Sequence, residues 1–200
     1  MKGFRAFLRK IDPRRWVELS SPVTLSFLAL SLAALILGWL TRGASTRALF
    51  SVYRSSAANL LFYPRLFLHV LGHANFSHFA GNRSLLLVLG PLVERHYGAR
   101  RYLIMIAVTA LVTALVQLFL VPGVATLGAS GIVFMLIILA AASGRTQGKV
   151  PLTLLLVAAV YLGREVYTGI TVRDSVSNLS HVAGGLCGIA FGLSLFRRKP

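Results

Sequence analysis

Six apolar segments divide this chain, and most of its basic residues lie between them. A helix that crosses the hydrocarbon core of a bilayer needs about 20 apolar residues, although shorter helices can cross when they pack inside a bundle. Charged residues make up 13% of the chain, against about a quarter in soluble domains. The sequence therefore predicts an all-α, polytopic membrane protein with six transmembrane helices in a compact bundle. The six predicted segments are 22–40, 79–92, 102–121, 131–142, 150–162 and 181–196.

The basic residues predict both a partner and an orientation. Lys and Arg total 21 against 5 acidic residues, which gives a formal charge of +16. In a soluble chain this excess would suggest nucleic acid, but no zinc-finger or RNA-binding signature is present. We therefore expect a lipid bilayer with anionic headgroups as a partner, and no nucleic acid. Of the 21 basic residues, 14 fall on the side that holds the N-terminus, and the positive-inside rule then places both termini in the cytoplasm.

The first 20 residues differ from the rest of the chain. Their apolar residues follow a helical spacing with basic residues between them, which predicts an amphipathic helix at the cytoplasmic interface. We assign residues 1–20 to this segment and 21–200 to one membrane domain. The first apolar run exceeds the ~7–15 residues of a signal-peptide core, which indicates an uncleaved anchor. A single cysteine, Cys187, excludes an internal disulfide.

Three of the predicted helices bring polar residues to one depth. With both termini inside, the second, fourth and sixth segments all enter from the outer face, so their first turns share a level. These turns carry His78 and Asn82, Ser130, and His181. Ionisable and amide groups inside a membrane are costly, so their convergence predicts a functional site near the outer surface.

Nucleophilic acyl transfer is the chemistry that needs these residue types. A serine hydroxyl becomes a good nucleophile when a base within about 2.6–3.2 Å removes its proton, and His181 can act on Ser130 in this way. The negative oxygen that forms needs fixed donors, for which His78, Asn82 and the Ser130 backbone N–H are candidates. Glycines near the serine and after the histidine permit close approach of backbone: Gly128, Gly131, Gly184, Gly188 and Gly192.

From about residue 65 to 196, these motifs resemble those of the rhomboid family of intramembrane serine proteases. The shared motifs are a histidine series that ends in asparagine (His69, His73, His78, Asn82), the run GASG and the run HVAGG. The resemblance implies a rhomboid-like bundle in a cell membrane such as the bacterial inner membrane. It implies no cofactor and no metal. Its substrates would be transmembrane proteins, cleaved near the outer face where small or helix-breaking residues occur.

The resemblance also implies a role for each site residue. The family uses a serine–histidine dyad without an acid, which makes Ser130 the nucleophile and His181 the base. His78 and Asn82 would stabilise the oxyanion. The residues expected to support this site are Gly128, Gly131, Phe134, His73 and Gly184.

Three positions depart from the family pattern. Pro64 precedes Arg65 where the family often has tryptophan, so only the arginine of that motif is kept. Phe134 stands where a tyrosine commonly stacks on the catalytic histidine, so stacking can survive without the phenol hydroxyl. Arg83 directly follows Asn82, and the sequence leaves open whether it points outward or faces the water cavity.

Other functions account for parts of the same pattern. A catalytically inactive rhomboid-like protein would bind membrane clients, with Ser130 serving only in helix packing. A solute transporter would line a path with the same polar groups, although the chain shows no repeated halves. A zinc site formed by His69, His73 and His78 is a further alternative, although the His-Glu-x-x-His motif is absent.

Several residues have structural interpretations. We expect His69 and His73 to tie the outer loop to the second helix. Glu94 and Arg95, at the inner end of that helix, are expected to form an ion pair or a cap. By analogy with the family, the short fifth segment and the loop 163–177 are expected to move most when a substrate enters from the lipid.

Overall fold

The computed structural model describes residues 20–121, 123–143 and 175–196, together with the isolated positions 152, 155, 156, 159, 160 and 163. Within these residues the chain forms α-helices and one 3-10 helix, and no β-strand, as predicted for an all-α protein. The 3-10 helix is His69–Leu71. The α-helices are α1 (Pro22–Leu40), α2 (Ala44–Ala48), α3 (Phe62–Leu68), α4 (Phe76–Tyr97), α5 (Ala99–Leu120), α6 (Ser130–Ser143) and α7 (Ser175–Phe196).

Helix α6 lies at the centre of the bundle. Nine of its 14 residues are buried, and α4, α5 and α7 pack around it. A helix that is apolar on all faces can be stable only when other helices or lipid surround it. The central position of α6 therefore explains why its sequence is apolar throughout.

The outer surface of the bundle is also apolar. Leu30 of α1, Val88 of α4 and Phe119 of α5 have 57%, 63% and 78% of their surface exposed. Apolar side chains exposed along several helices are favourable in lipid and unfavourable in water. Two helices, α1 and α5, are by themselves long and apolar enough to cross a membrane. Helix α6 and the stretch Leu179–Ser194 of α7 are shorter apolar helices.

A buried carboxylate joins the beginning of α1 to the end of α4. Pro22 occupies the first turn of α1, where its missing N–H costs no hydrogen bond. Glu94 of α4 accepts hydrogen bonds from the backbone N–H groups of Val23 and Thr24, both at 2.9 Å, and from the Thr24 hydroxyl at 2.8 Å. Its negative charge also lies at the positive end of the α1 dipole. Glu94 is therefore a helix cap, while Arg95 lies exposed.

Local signals in the sequence set both ends of α4. Asn75 is extended, with φ −158°, and its side-chain oxygen accepts from the His78 backbone N–H at 2.8 Å, which is the geometry of an N-cap. Gly98 ends the helix at φ +82°, and α5 begins at the next residue. The helix is longer at both ends than the predicted segment 79–92, because its terminal turns are polar and hydropathy alone does not detect them.

The loop between α1 and α4, here the α1–α4 loop, is folded and fixed to the bundle. Arg65 is 3% exposed, its Nε donates to the Ala48 carbonyl oxygen at 2.8 Å, and its guanidinium lies 4.4 Å from the centre of the Tyr53 ring. Val52 and Thr126 exchange two backbone hydrogen bonds of 2.8 and 2.9 Å. These contacts attach the loop to the segment that precedes α6.

Helices α6 and α7 approach each other through glycines. A Cβ atom added to Gly184 would overlap the backbone of Gly131, and one added to Gly188 would lie 2.8 Å from the Met135 carbonyl oxygen. A Cβ atom added to Gly185, in contrast, would meet open space. Gly184 and Gly188 therefore form a packing surface of the kind that small residues form between membrane helices.

Several predictions lie outside the described residues. They concern the amphipathic segment before α1 and the location of both chain termini. They also concern the fifth predicted segment, apart from its isolated described positions, and most of the loop 163–177 that is expected to move.

Candidate active site

Ser130 is the first residue of α6 and follows a constrained turn. Gly128 has φ +124°, a conformation that residues with a side chain rarely adopt. Its backbone N–H donates to the His69 carbonyl oxygen at 2.9 Å, and a Cβ atom added to it would lie 2.9 Å from the His78 ring. This turn holds the beginning of α6 against the His78 side chain and leaves Ser130 half-buried.

His181 lies on α7, beside the first turns of α6. Its ring stacks on the Phe134 ring, with centroids 4.5 Å apart and planes at 11°, and the residue is 9% exposed. The preceding residue, Ser180, also faces α6, since its carbonyl oxygen would lie 3.1 Å from a Cβ atom added to Gly131. Phe134 follows Ser130 by four residues, about one helical turn. These contacts place His181 at the level of the first turn of α6.

His78 and Asn82 lie on one face of α4, in its first two turns. The Asn82 Nδ2 donates to the His78 carbonyl oxygen at 3.2 Å, and the same amide carries a second N–H. Asn82 is 9% exposed, and His78 is partly buried. Because the His78 ring lies against Gly128, the contacts bring the beginnings of α4 and α6 together beside α7. His78 thus lies against the turn before Ser130, and His181 stacks on Phe134 of the same helix α6.

Arg83 is buried inside the bundle rather than directed outward. It is 3% exposed, and its guanidinium lies over the rings of Phe27 at 4.9 Å and Phe79 at 5.5 Å. One guanidinium nitrogen, Nη2, lies 3.1 Å from Nε2 of His73. Among the described residues, Nε and Nη1 have no hydrogen-bond partner. Arg83 is therefore a buried cation whose hydrogen-bonding capacity is only partly used.

The contact with Arg83 determines where His73 carries its proton. Arginine only donates hydrogen bonds, so Nε2 of His73 must accept with its lone pair. The proton then lies on Nδ1, which is 3.1 Å from the Leu71 carbonyl oxygen. Burial, the charge of Arg83 and the proximity of His78 lower the pKa of His73 to about 3. His73 is thus neutral near pH 7, and its ring packs edge-on against that of His78, with centroids 5.2 Å apart.

His69 has a structural role in the same loop. Its Nδ1 lies 3.1 Å from the Arg65 carbonyl oxygen, and its Nε2 lies 3.3 Å from the Thr113 hydroxyl of α5. Burial lowers the pKa of His69 to about 4. Both ring nitrogens of His69 and of His73 are therefore occupied by protein groups. Within the described part of the chain, no group of three potential ligands is arranged to hold a metal ion, so the zinc alternative from the histidines lacks support.

The sequence alone missed two of the partners that organise this site. It gave Arg83 no partner, although an arginine in the apolar part of a helix required one. It also did not connect His69 to Thr113, because threonine is common in membrane helices and 44 residues separate the two.

The fold and the contacts define a class of protein. It is a bundle of apolar helices that encloses a serine at a helix start and a histidine on the adjacent helix. Residues 62–198 match the Rhomboid domain, which covers more than half of the chain, and the chain therefore belongs to the rhomboid family. Members of this family are embedded in the membrane and are generally serine intramembrane proteases, although inactive members exist. No curated protein sequence matches the chain significantly.

Proposed function

We propose that this protein is an intramembrane serine endopeptidase that hydrolyses peptide bonds of transmembrane protein substrates near the outer membrane face. The contact between the Phe134 and His181 rings, one turn after Ser130, is the observation that carries the proposal. This contact supports the assignment of the His181 imidazole as a group beside the beginning of α6. The position of His78 against Gly128 supports a second polar group at the same level.

In the proposed reaction, Ser130 attacks the scissile carbonyl carbon while His181 accepts the hydroxyl proton. The carbonyl oxygen becomes an oxyanion, which His78 and Asn82 stabilise together with the Ser130 backbone N–H. When the C–N bond breaks, His181 returns the proton to the leaving amine. Water then hydrolyses the ester on Ser130 with His181 as the base again. Each oxyanion donor typically contributes ~10²- to 10³-fold in rate.

The topology that accompanies this function has six transmembrane helices, with both termini in the cytoplasm of a cell such as a bacterium. Two of the six, α1 and α5, are supported by length and composition alone. In this arrangement α4, α6 and α7 all begin near the outer surface, where water can reach the dyad. The loop 163–177 and the helix before it would admit the substrate from the lipid.

The proposal is tested with a transmembrane substrate reconstituted together with purified protein. Ser130→Ala and His181→Ala should each abolish cleavage, and Ser130→Ala should leave the unfolding temperature nearly unchanged. Ser143→Ala is the matched control, because this serine lies at the other end of α6 and its hydroxyl donates to the Leu139 carbonyl oxygen at 2.7 Å. Full cleavage by Ser130→Ala would refute the dyad.

A serine-directed fluorophosphonate probe provides a second readout that does not depend on the choice of substrate. It should label the unmodified protein and Ser143→Ala, but not Ser130→Ala. A folded, unmodified protein that the probe never labels would instead be a non-catalytic relative that binds membrane clients.

A further inference from the structure

A cavity of about 500 Å³ lies at the C-terminal end of α1. Its walls come from the last turns of α1, from the α1–α4 loop and from the segment before Ser130. Helix α1 has 19 residues and is therefore about 28 Å long. The cavity thus lies about one hydrocarbon thickness away from Glu94, which caps the other end of α1. The lining residues that matter here are Leu35, Trp39, Arg42, Arg47, His73 and Leu127.

The cavity is positively charged. Arg42 and Arg47 both line it, and neither guanidinium forms a hydrogen bond or an ion pair with any residue that the structure describes. None of the described residues that line the cavity is acidic. His73 contributes no charge, because its pKa is lowered to about 3 by burial and by its neighbours. Within the described part of the chain, the cavity therefore presents two cations that have no acidic partner.

The same cavity also has an apolar side. Trp39 is 57% exposed and Leu35 is buried behind it, one turn earlier in α1. Tryptophan is enriched at membrane–water interfaces, where its ring lies at the headgroup level. Arg42 follows Trp39 by three residues and lies past the end of α1, so its charge comes after the apolar residues along the chain. This order matches the order of phosphate and acyl chains in a phospholipid.

We propose that this cavity is a binding site for the phosphate of an anionic phospholipid. The guanidinium groups of Arg42 and Arg47 bind the phosphate oxygens, since a planar guanidinium donates in the geometry that phosphate accepts. Trp39 and Leu35 contact the first methylene groups of the acyl chains. The proposal does not depend on proteolytic activity, because it rests on the charges and the shape of a cavity whose lining includes neither Ser130 nor His181.

Binding at this site would also affect the segment that leads to Ser130. Ala125 and Leu127 also line the cavity, and the backbone of Thr126 between them is hydrogen-bonded to Val52 of the α1–α4 loop. A phosphate held by Arg42 and Arg47 would therefore link α1, the loop and the start of α6. The expected consequence is a higher unfolding temperature in the presence of the anionic lipid.

Fluorescence of Trp39 can measure directly whether an anionic lipid occupies the cavity. The chain has two tryptophans, Trp16 and Trp39, so Trp16→Phe leaves a single fluorophore at the cavity wall. This variant is reconstituted in phosphatidylcholine that contains a few per cent of bromine-labelled lipid, either phosphatidylglycerol or phosphatidylcholine. Labelled phosphatidylglycerol should quench Trp39 several-fold more strongly than labelled phosphatidylcholine at the same mole fraction. Equal quenching by the two lipids would overturn the proposal.

Substitution of Arg42 and Arg47 tests whether these residues cause the stronger quenching by phosphatidylglycerol. In the Trp16→Phe background, Arg42→Asn and Arg47→Gln should each lower the enrichment of the anionic lipid about fivefold. Asparagine is chosen at position 42 because Arg42 has φ +51°, which asparagine tolerates. Arg54→Gln is the matched control, since Arg54 is exposed on the same loop but does not line the cavity. An equal loss with Arg54→Gln would show nonspecific attraction and overturn the proposal.

A soluble anion distinguishes a lipid from free phosphate. Glycerol 3-phosphate at millimolar concentration should not displace labelled phosphatidylglycerol from Trp39, because it lacks the acyl chains that contact the apolar side. Displacement at that concentration would show that the cavity binds a soluble phosphate instead and would overturn the lipid assignment.

Discussion

The interface between α6 and α7 and the interface between α1 and α4 are built in opposite ways. Between α6 and α7, Gly184 brings one backbone against the other, and the Phe134–His181 stack completes the packing. Between α1 and α4 the contacts are made by buried charges. Glu94 binds the N-terminus of α1, and Arg83 lies over the Phe27 ring. The first pair leaves no room for side chains at the crossing, whereas the second places side chains between the helices, with Thr24 of α1 packed closely against Gly90 of α4.

The α6–α7 interface fixes the relative position of its two helices precisely, whereas the α1–α4 interface mainly attaches one helix to the other. Direct backbone contact fixes two helices relative to each other, and the proposed nucleophile and base lie on this pair. Displacements of about 1 Å in a catalytic site can cost ~10²-fold in rate. Buried charges are stabilising only when their hydrogen-bonding groups are satisfied. Glu94 meets this condition with three hydrogen bonds, and Arg83 meets it only in part.

Among the substitutions that leave Ser130 and His181 in place, Gly184→Ala should lower the activity most. The added methyl group overlaps the Gly131 backbone, so α6 and α7 must move apart and the His181 ring shifts relative to Ser130. We expect about 1–3 kcal/mol of destabilisation and a roughly 100-fold loss of activity. Gly185→Ala is the control, because its methyl group meets open space. Equal activity of both variants would show that the close contact does not matter.

Glu94→Ala should destabilise the protein by about 2–3 kcal/mol, because two backbone N–H groups and a hydroxyl lose their acceptor. Activity measured below the unfolding temperature should change little, because Glu94 lies at the end of α4 farthest from Ser130. Thermal unfolding in detergent measures the first effect, and cleavage of the substrate measures the second. Arg95→Ala is the matched exposed neighbour and should leave both unchanged. A large loss of activity would indicate that the two interfaces are coupled.

Arg83→Met should separate stability from activity. Replacing a partly satisfied buried charge by an apolar side chain of similar size is often neutral or stabilising, so the unfolding temperature should stay equal or rise. Activity should fall about tenfold, because His73 loses its donor and no longer holds the His78 ring in place. Arg83→Lys keeps a cation near His73 and should restore part of the rate. A parallel loss of stability and activity in Arg83→Met would indicate a packing role only.

Acidification should destabilise the protein through His73 and His69. An unfolded histidine binds a proton near pH 6.5, whereas the pKa values of these two are lowered to about 3 and about 4. The unfolded state therefore binds more protons between these limits, so stability falls as pH drops below about 6.5. Each histidine contributes a slope of up to about 1.4 kcal/mol per pH unit.

His73→Gln should flatten the acid limb of this stability curve by the contribution of one histidine. His96→Gln is the control, because His96 is exposed, and its curve should follow that of the unmodified protein. The free energy of unfolding between pH 4 and pH 7, measured with a chemical denaturant, decides the outcome. An unchanged slope in His73→Gln would contradict the assignment of a neutral, buried imidazole.

Phe134→Tyr should change the activity least. The tyrosine ring can keep the stack on His181, so activity should stay within about twofold of the unmodified protein. Phe134→Ala removes the stack and should lower the rate by about tenfold, since an aromatic pair contributes roughly 0.5–1.5 kcal/mol beyond burial. If Phe134→Ala and Phe134→Tyr have the same activity, ring stacking does not position the base.

The sequence predicted the helices better than their contacts. Hydropathy located α1, α5 and α6 to within three residues, because these helices are apolar throughout. It shortened α4 and α7 at their polar ends, and at the beginning of α4 the Asn75 side chain supplies a hydrogen bond that hydropathy does not detect. It also did not predict α2 and α3, since short loop helices carry no hydropathy signal. Their stability comes from contacts such as that of Arg65 with Ala48.

In the candidate site, too, the sequence predicted the residues better than their contacts. The residue types and their motifs identified Ser130, His181, His78 and Asn82 as chemical candidates, because polar groups in apolar helices are rare. The sequence could not select between an outward and an inward direction for Arg83. That direction depends on His73 and Phe27, which lie in other elements of the bundle.

The sequence by itself determined that this chain forms apolar helices, that polar side chains occur at a few helix ends, and that the chain carries rhomboid motifs. These properties follow from local composition and spacing, because helix formation and burial in lipid depend on the residues of each segment. Only the tertiary structure decided that Glu94 caps α1, that Arg83 fixes the proton of His73, and that two arginines share a cavity with Trp39. Such contacts join residues far apart in the chain, and their geometry depends on how the helices pack rather than on any segment alone.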